Sequence, residues 1–594
     1  MSSTPTVSLI RRPGVFLLWV AVSGLFVPAR AQEVPSTQPA TKAMPRSDES
    51  SLERPLITGR HGMVTSLHPL SSMAGMQILM KGGNAFDAAV AAAIATTVVD
   101  PKDSTIGGQG FATIYVAKAH LVRALNFYGT APQAATIEAL KGKDYRQGYL
   151  STPVPSNLKG YEMLHRAYGS LPWRDVVQPA IDLAENGFVV TEEFSGLLTL
   201  QEDKLNYPST RRVFFPGGRV PRPGEIFKQP DLARTLRRIA AEGADVFYRG
   251  DIARSIAAFY QANFGLLSYE DLAGYQAKWV EPISTTYHGY TIYTQPPNSS
   301  GIALLMQLNL LETYDLPGLG HNSPGYLHLL GEVQRLAIAD RNRYVADPEY
   351  TSVPLSRLLS KEYAGERRKL IALDRTMPTV PPPVTPATDP EKANTTHLCV
   401  VDEAGNMVSL TQTLGAWFGS GVVAADTGVL FSNQMRHLHT DPASPSKVGP
   451  GRRPRSNQSP LIVLKDGQPF MAIGTPGNDG IWQRMAQVLV NIIDFGMDIQ
   501  HAVSAPRMIY GAFQETGTAI PPVFAVEDRI PEATLTDLRA RGYTLKLIPS
   551  DEGSVNGIIR DPATGFLYGG ADPRRWGTVG SWAGPAVSVY AIGW

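Results

Sequence analysis

The run Asn394-Thr395-Thr396-His397-Leu398-Cys399-Val400-Val401-Asp402-Glu403-Ala404-Gly405-Asn406-Met407-Val408-Ser409-Leu410-Thr411-Gln412-Thr413 decides the fold. Residues 398–401 and 407–410 are short apolar runs, and the Asp/Gly/Asn segment between them predicts an antiparallel β-hairpin. Folding that hairpin about Ala404 sets Thr395 opposite Thr413, since both lie equally far from the turn. Upstream, residues 377–390 (MPTVPPPVTPATDP) carry too much proline for a helix or a central strand and read as a tether. A threonine that leads a strand, follows a tether and faces a second hydroxyl is a candidate N-terminal nucleophile. The competing reading is structural, because the β-branched shape of threonine suits any strand.

The chain has 594 residues, ample for a large core in one layered domain or several. Its 54 Lys and Arg against 53 Asp and Glu leave a net charge of +1, which offers no electrostatic footprint for nucleic acid. Cys399 is the only cysteine, so an intramolecular disulfide is excluded. Placed inside an expected strand, it reads as a small core residue. At the N-terminus, Arg11 and Arg12 precede an apolar run over 15–27 and a small-x-small signal at Ala29-Arg30-Ala31. Residues 1–31 therefore read as a signal peptide cleaved after Ala31, and 32–55 as a flexible tether. The expected location is periplasmic or secreted, without stable membrane insertion once the leader is removed.

Along the remaining chain, residues 71–80 form an expected amphipathic helix ending at Gly82-Gly83. Asn84 then caps a second, alanine-rich helix over 85–99, with Asp87 completing a capping box. The glycine cluster at 106–111 precedes a strand over 112–116; a dinucleotide loop would follow a strand, so the cluster reads as close backbone packing. Helical spacing returns at 176–186, 231–242, 251–260, 302–314 and 326–340, and a strand is expected at 290–293. No G-x-S-x-G or H-E-x-x-H pattern occurs, and His437 and His439 read as part of a solvated loop. No cofactor and no metal is expected. One loop is informative: strand-like 471–473 runs into Gly474-Thr475-Pro476-Gly477-Asn478-Asp479-Gly480, then into a helix with Ile481, Met485, Val488, Leu489 and Ile492 on its apolar face. Such a loop aims free backbone N–H groups at whatever lies over the helix start, and a tetrahedral oxyanion is one candidate.

Together these residues resemble the γ-glutamyltransferases (glutathione hydrolases). The resemblance rests on the segment from Thr395 through Phe418-Gly419, on Gly82 to Ala89, Gly107 to Phe111, Asp271 to Tyr275, Pro296 to Gly301, Ala339-Asp340-Arg341, Asn433-Gln434-Met435, Gly474 to Gly477 and Asp572-Pro573-Arg574. It implies an α/β (α+β) fold, a four-layer αββα sandwich of the N-terminal-nucleophile hydrolase type, cleaved by itself between Asn394 and Thr395. The products would be a large subunit of 56–394 and a small subunit of 395–594, paired as a heterodimer that acts on a small-molecule amide. Thr395 would be the nucleophile, with its own α-amine as base. Thr413 would hydrogen-bond it, and the N–H groups of Gly477 and Asn478 would form the oxyanion hole; the family has glycine at the second position.

The glutamate-holding positions depart from the family. Tyr128 stands where an arginine pairs with the substrate carboxylate. Gly415 and His437 replace the asparagine and aspartate that hold its ammonium. Gln434 and Ser456 are retained, and Asn457 replaces a second serine. Losing these contacts should cost roughly 1.5–3 kcal/mol for each charge-assisted bond. Three readings follow: a γ-glutamyl hydrolase or transferase with rearranged contacts, an amidase for another acyl group resembling the cephalosporin-acylase-like branch, or an exported binding protein without activity. For the second, Arg436 and Arg455 are candidates to hold a simple carboxylate such as glutaryl, against the reading that both are solvated.

Overall fold

Alternation along the hairpin puts the two sides of the same strands into different cores. In the computed structural model, which describes residues 54–377, 393–510, 523–551, 553–574 and 590–594, the strands Ala393–Asp402 and Met407–Ala416 pair antiparallel in the register expected from the turn. His397 faces Thr411 and Val401 faces Met407. Asp402 accepts the Asn406 N–H through Oδ1 (2.9 Å), and Gly405 takes φ +84° to close the turn. Both strands run longer than their apolar runs. Leu398, Val400, Val408 and Leu410 point one way, into a core shared with the helices Pro69–Met80, Ala85–Val99 and Trp173–Asn186. Cys399, Val401 and Met407 point the other way, against Ile462, Leu464, Ala472 and Ile558 of a second sheet.

Among the described residues each of these two sheets has seven strands, all pairing antiparallel. The hairpin lies at the centre of the first, between Gly62–Ser66 and Gln109–Val116. The second centres on Leu461–Lys465 and Gln468–Gly474. Its far side packs on the helices Gly301–Leu311, Pro324–Tyr344 and Ile481–Ile493. The order is thus helices, sheet, sheet, helices, which is the expected sandwich. Polar groups also join the sheets. Thr65 Oγ1 donates to Asn556 Oδ1 (2.7 Å) and Ser409 Oγ to the Ile473 carbonyl (3.0 Å).

Helix Ala85–Val99 is buried along its whole length, so its alanines let neighbours approach closely, and Asn84 with Asp87 forms the expected capping box. The glycines of the 106–111 cluster act as expected: a Cβ at Gly107, Gly108 or Gly110 would overlap the carbonyl of Leu430, Thr413 or Thr411. Cys399 is a buried core residue. The expected signal peptide lies outside the described residues, as do all but the last two residues of the tether over 32–55 and nearly all of the proline-rich segment. Among the described residues no helix is long and apolar enough to cross a membrane.

Two histidines tie this architecture to pH. His68 caps the first helix, accepting the Leu70 N–H at Nδ1 (3.2 Å), and burial lowers its pKa to about 4. His397 is sealed between the sheets over the bare Cα of Gly474, with Nδ1 at 2.8 Å from Thr411 Oγ1, and burial lowers it to about 3. In the unfolded chain both titrate near 6.5. Below that pH the unfolded state binds more protons than the folded one, so stability is full above it and falls as pH falls. The urea midpoint is expected to drop on acidification, and His397→Gln to flatten the drop; an unchanged midpoint down to pH about 5 would contradict this account.

Candidate active site

Residue parity places Thr395. It lies on the same strand face as His397, Cys399 and Val401, so its side chain enters the layer between the sheets, where the pairing shifts register between Asn394 and Thr396. A bulge of this kind re-aims a side chain at a strand end. Thr395 Oγ1 donates to Thr413 Oγ1 (3.2 Å), and that hydroxyl accepts the Gly415 N–H (2.9 Å).

Thr395 opens onto a pocket lined also by Tyr128, Gly415, Gln434, His437, Arg455, Ser456, Asn457, Gln458, Asn478 and Ile481. Every expected site residue lies on this lining except Thr413, which supports Thr395 from behind, Gly477, which precedes Asn478, and Arg436, which is buried off the lining while the other candidate cation, Arg455, is on it. The loop 474–480 leads from the second sheet to helix Ile481–Ile493. Gly477 takes φ +113° and Asn478 φ +54°, and neither backbone N–H has a hydrogen-bond partner among the described residues. Unpaired donors beside a strand-leading hydroxyl have the chemistry to hold an oxyanion.

The polar wall differs from the sequence expectation in informative ways. Tyr128 is buried, stacked on Phe111 with ring centroids 5.0 Å apart. Burial raises its phenol to about 12 despite hydrogen bonds to Ser456 and Gln109, so it is a neutral group where the family has a cation. Gly415 takes φ +104°, and a Cβ there would overlap the Asn433 amide, which accepts the Ala416 N–H (3.0 Å). An asparagine side chain has no room at this position. His437 does not sit in a solvated loop. Burial and the neighbouring Arg436 hold it well below its usual pKa, so it is neutral, in a short 3-10 turn over Gln434–His437.

The arginines are not solvated either. Arg436 is buried and Arg455 half-buried. Burial, with Arg341 nearby, lowers Arg455 to about 9, still cationic at neutral pH, and its Nη1 is buried with no partner among the described residues. Asn457 is fully engaged: its Oδ1 accepts from Arg341, and its Nδ2 donates to Asp479 Oδ1 (2.6 Å). Asp479 also pairs with Arg341 Nη2 (2.8 Å). The segment Pro296–Gly301, read in the sequence only as a family match, pins this wall: the Ser300 N–H donates to the Ser456 carbonyl (2.7 Å), and the Ser456 N–H to that of Asn298 (2.9 Å). Sequence reasoning quoted Arg341, Asp479 and Ile481 only within a family match, a loop and an apolar helix face, and passed over Gln458 beside Asn457; their place at the site follows from contacts across the fold.

A family model described as Gamma-glutamyltranspeptidase matches residues 71–582. The chain is 38% identical over 551 residues to the Acylase ACY 1 proenzyme of Pseudomonas sp. (strain SE83), spanning 90% of this chain and 96% of that relative. It is 35% identical over 541 residues to the Glutathione hydrolase proenzyme of Escherichia coli (strain K12), spanning 87% and 91%. Its structure resembles that of cephalosporin acylase from Bacillus halodurans with a TM-score of 0.81 at 35% identity, over 91% of this chain and 99% of that one.

The crowding at Gly415 is testable by substitution. Gly415→Ala is expected to lower stability by about 1–3 kcal/mol, through overlap with Asn433 and a disfavoured φ. Urea unfolding checks this, and a midpoint equal to that of the parent chain would show that the site relaxes freely.

Proposed function

The chain is an enzyme of the gamma-glutamyltranspeptidase family, and from that premise we propose that it is a self-processing amidohydrolase and acyltransferase for amides of a carboxylate-bearing acyl group. Cleavage between Asn394 and Thr395 separates a large subunit of 56–394 from a small subunit of 395–594, which stay together as a heterodimer. The freed α-amine of Thr395, directly or through a water, takes the proton of Oγ1 as that oxygen attacks the amide carbonyl. Thr413 holds the nucleophile in place through the hydroxyl contact. The Gly477 and Asn478 N–H groups receive the negative charge on the carbonyl oxygen. The amine leaves with the transferred proton, and the acyl ester on Thr395 passes to water or to an amine. The sequence of the leader supports action in the periplasm or outside the cell.

One observation carries the choice of acyl group: the pocket that holds Thr395 also holds Arg455, with a buried guanidinium N–H unpaired. A distal carboxylate of a glutaryl-type acyl group would meet a cation there. An α-ammonium would find no free anion, because Asp479 is already bound by Arg341 and Asn457, and His437 is neutral. A relative named as an acylase agrees with this reading. The second reading, a γ-glutamyl group as in glutathione, is favoured by Gln434, whose buried Oε1 has no partner among the described residues and can accept from an ammonium.

Denaturing electrophoresis is expected to show two fragments for the parent chain and one for Thr395→Ala; a single full-length band in the parent would remove self-processing. Glutaryl and γ-glutamyl anilides then separate the readings. The glutaryl substrate should be turned over faster, and Arg455→Met should cut its kcat/KM by roughly 10- to 100-fold, the equivalent of one charge-assisted hydrogen bond. Turnover of the γ-glutamyl substrate alone, unaffected by Arg455→Met, would reverse the assignment.

A further inference from the structure

A loop with glycine at 474, 477 and 480 has little intrinsic reason to keep two N–H groups pointed at one place. What holds it lies outside the pocket. Arg484, buried in the first turn of helix Ile481–Ile493, reaches back under the loop, and its Nη1 donates to the Gly477 carbonyl at 2.5 Å. Its Nε and Nη2 form a two-pronged pair with Asp551, the latter at 2.6 Å from Oδ1. The glycines are explained by the same side chain: a Cβ at Gly477, at Gly480 or at Gly553 would overlap the Arg484 guanidinium.

Asp551 is itself fixed. Its N–H donates to Glu527 Oε1 (2.9 Å), and Arg507 Nη1 lies 3.4 Å from Oδ2. Arg507 continues to Asp572 (2.6 Å), and Arg574 joins Asp572 (3.0 Å) to Glu527. Three arginines thus meet three carboxylates, all buried. Burial would raise Asp551, but Arg484, Arg507 and Arg574 together outweigh it and hold the carboxyl down at about 2. The guanidinium therefore has a rigid, fully ionised anchor on one side and a backbone carbonyl on the other.

We propose that Arg484 is a positioning residue for the oxyanion loop, fixing the orientation of the Gly477–Asn478 peptide. In a planar trans peptide the carbonyl and the N–H point in opposite directions. Binding the Gly477 carbonyl on the Arg484 side turns the Asn478 N–H to the other side, where Asn478 lines the pocket. Without Arg484 the peptide is free to rotate, and a carbonyl turned inward repels the oxyanion it should face. This inference rests on the reading of the Gly477 and Asn478 N–H groups as the oxyanion hole.

The test uses the processed enzyme, with kcat expressed per active site from the burst of acyl-enzyme. Arg484→Met is expected to lower kcat by about 10²- to 10³-fold, as loss of an oxyanion donor does, with KM changed by less than about three-fold. Arg484→Lys keeps the charge against Asp551 but loses the fork, and should recover at least about ten-fold over Arg484→Met. Where Arg484→Met fails to fold or process, Arg484→Lys carries the test, with kcat expected at least about ten-fold below the parent. A parent-like kcat per site in the variants, with only the number of active sites or the melting temperature reduced, overturns the proposal. Replacing the Asn478 N–H by an ester oxygen separates the two levels. If that change leaves kcat intact, the oxyanion-hole reading fails; if it lowers kcat while Arg484 variants do not, only the positioning role fails.

Discussion

The period of two along Ala393–Asp402 is the constraint on which everything else depends. Even-numbered residues of that strand supply the core beneath one helical layer, and odd-numbered ones fill the space between the sheets. A slip of one residue would exchange the two sets, bury His397 among the helices and turn Thr395 away from the second sheet. The hairpin register is consequently secured from several directions. The Asp402 turn holds it at one end, where Asp402 Oδ2 also accepts the Ala85 N–H of the capped helix (2.9 Å). The fit of His397 over Gly474 holds it in the middle.

The inter-sheet layer changes character along its length. It is apolar around Val401, Met407 and Ile558, then turns to hydroxyls and amides at Ser409, Thr411, Asn556 and Thr413, and ends at Thr395. Buried polar groups of this kind are tolerable only when paired, and these side chains are paired with one another or with backbone carbonyls. The pairing leaves the Thr395 hydroxyl as the last member of a polar row, so its position is inherited from the sandwich.

Around that hydroxyl, the described ionisable groups follow one electrostatic logic. The carboxylates beside the pocket are already bound to arginines: Asp479 to Arg341, and Asp551 to Arg484 behind the loop. The histidine on the wall is neutral. A cation at Arg455 and backbone donors without partners among the described residues remain, both suited to negative charge. The departures at positions 128, 415 and 437 form one pattern in this light. A tyrosine, a glycine with no room for a side chain and an uncharged imidazole all remove fixed charge from the place where a zwitterionic head group would sit.

By itself the sequence determined whatever depends on local periodicity and covalent chemistry. The hairpin and its register, the capped alanine helix, the helix after the glycine loop, and the pairing of Thr395 with Thr413 were all legible from spacing alone. The resemblance to a family named the layers and the expected site, because many ordered matches fix topology where propensity does not. Only the tertiary structure decided the charge state and availability of each group. His437 and Arg455 are both set in the same loop region, yet burial makes one neutral and leaves the other cationic with a donor unused. Asn457 looks like a substrate ligand in sequence but is held by Arg341 and Asp479, and Arg484 gives no sign in sequence that it underlies a loop beginning ten residues earlier. These properties arise from which side chains meet at a distance and how much water is excluded between them, and neither is written in the spacing of residues along the chain.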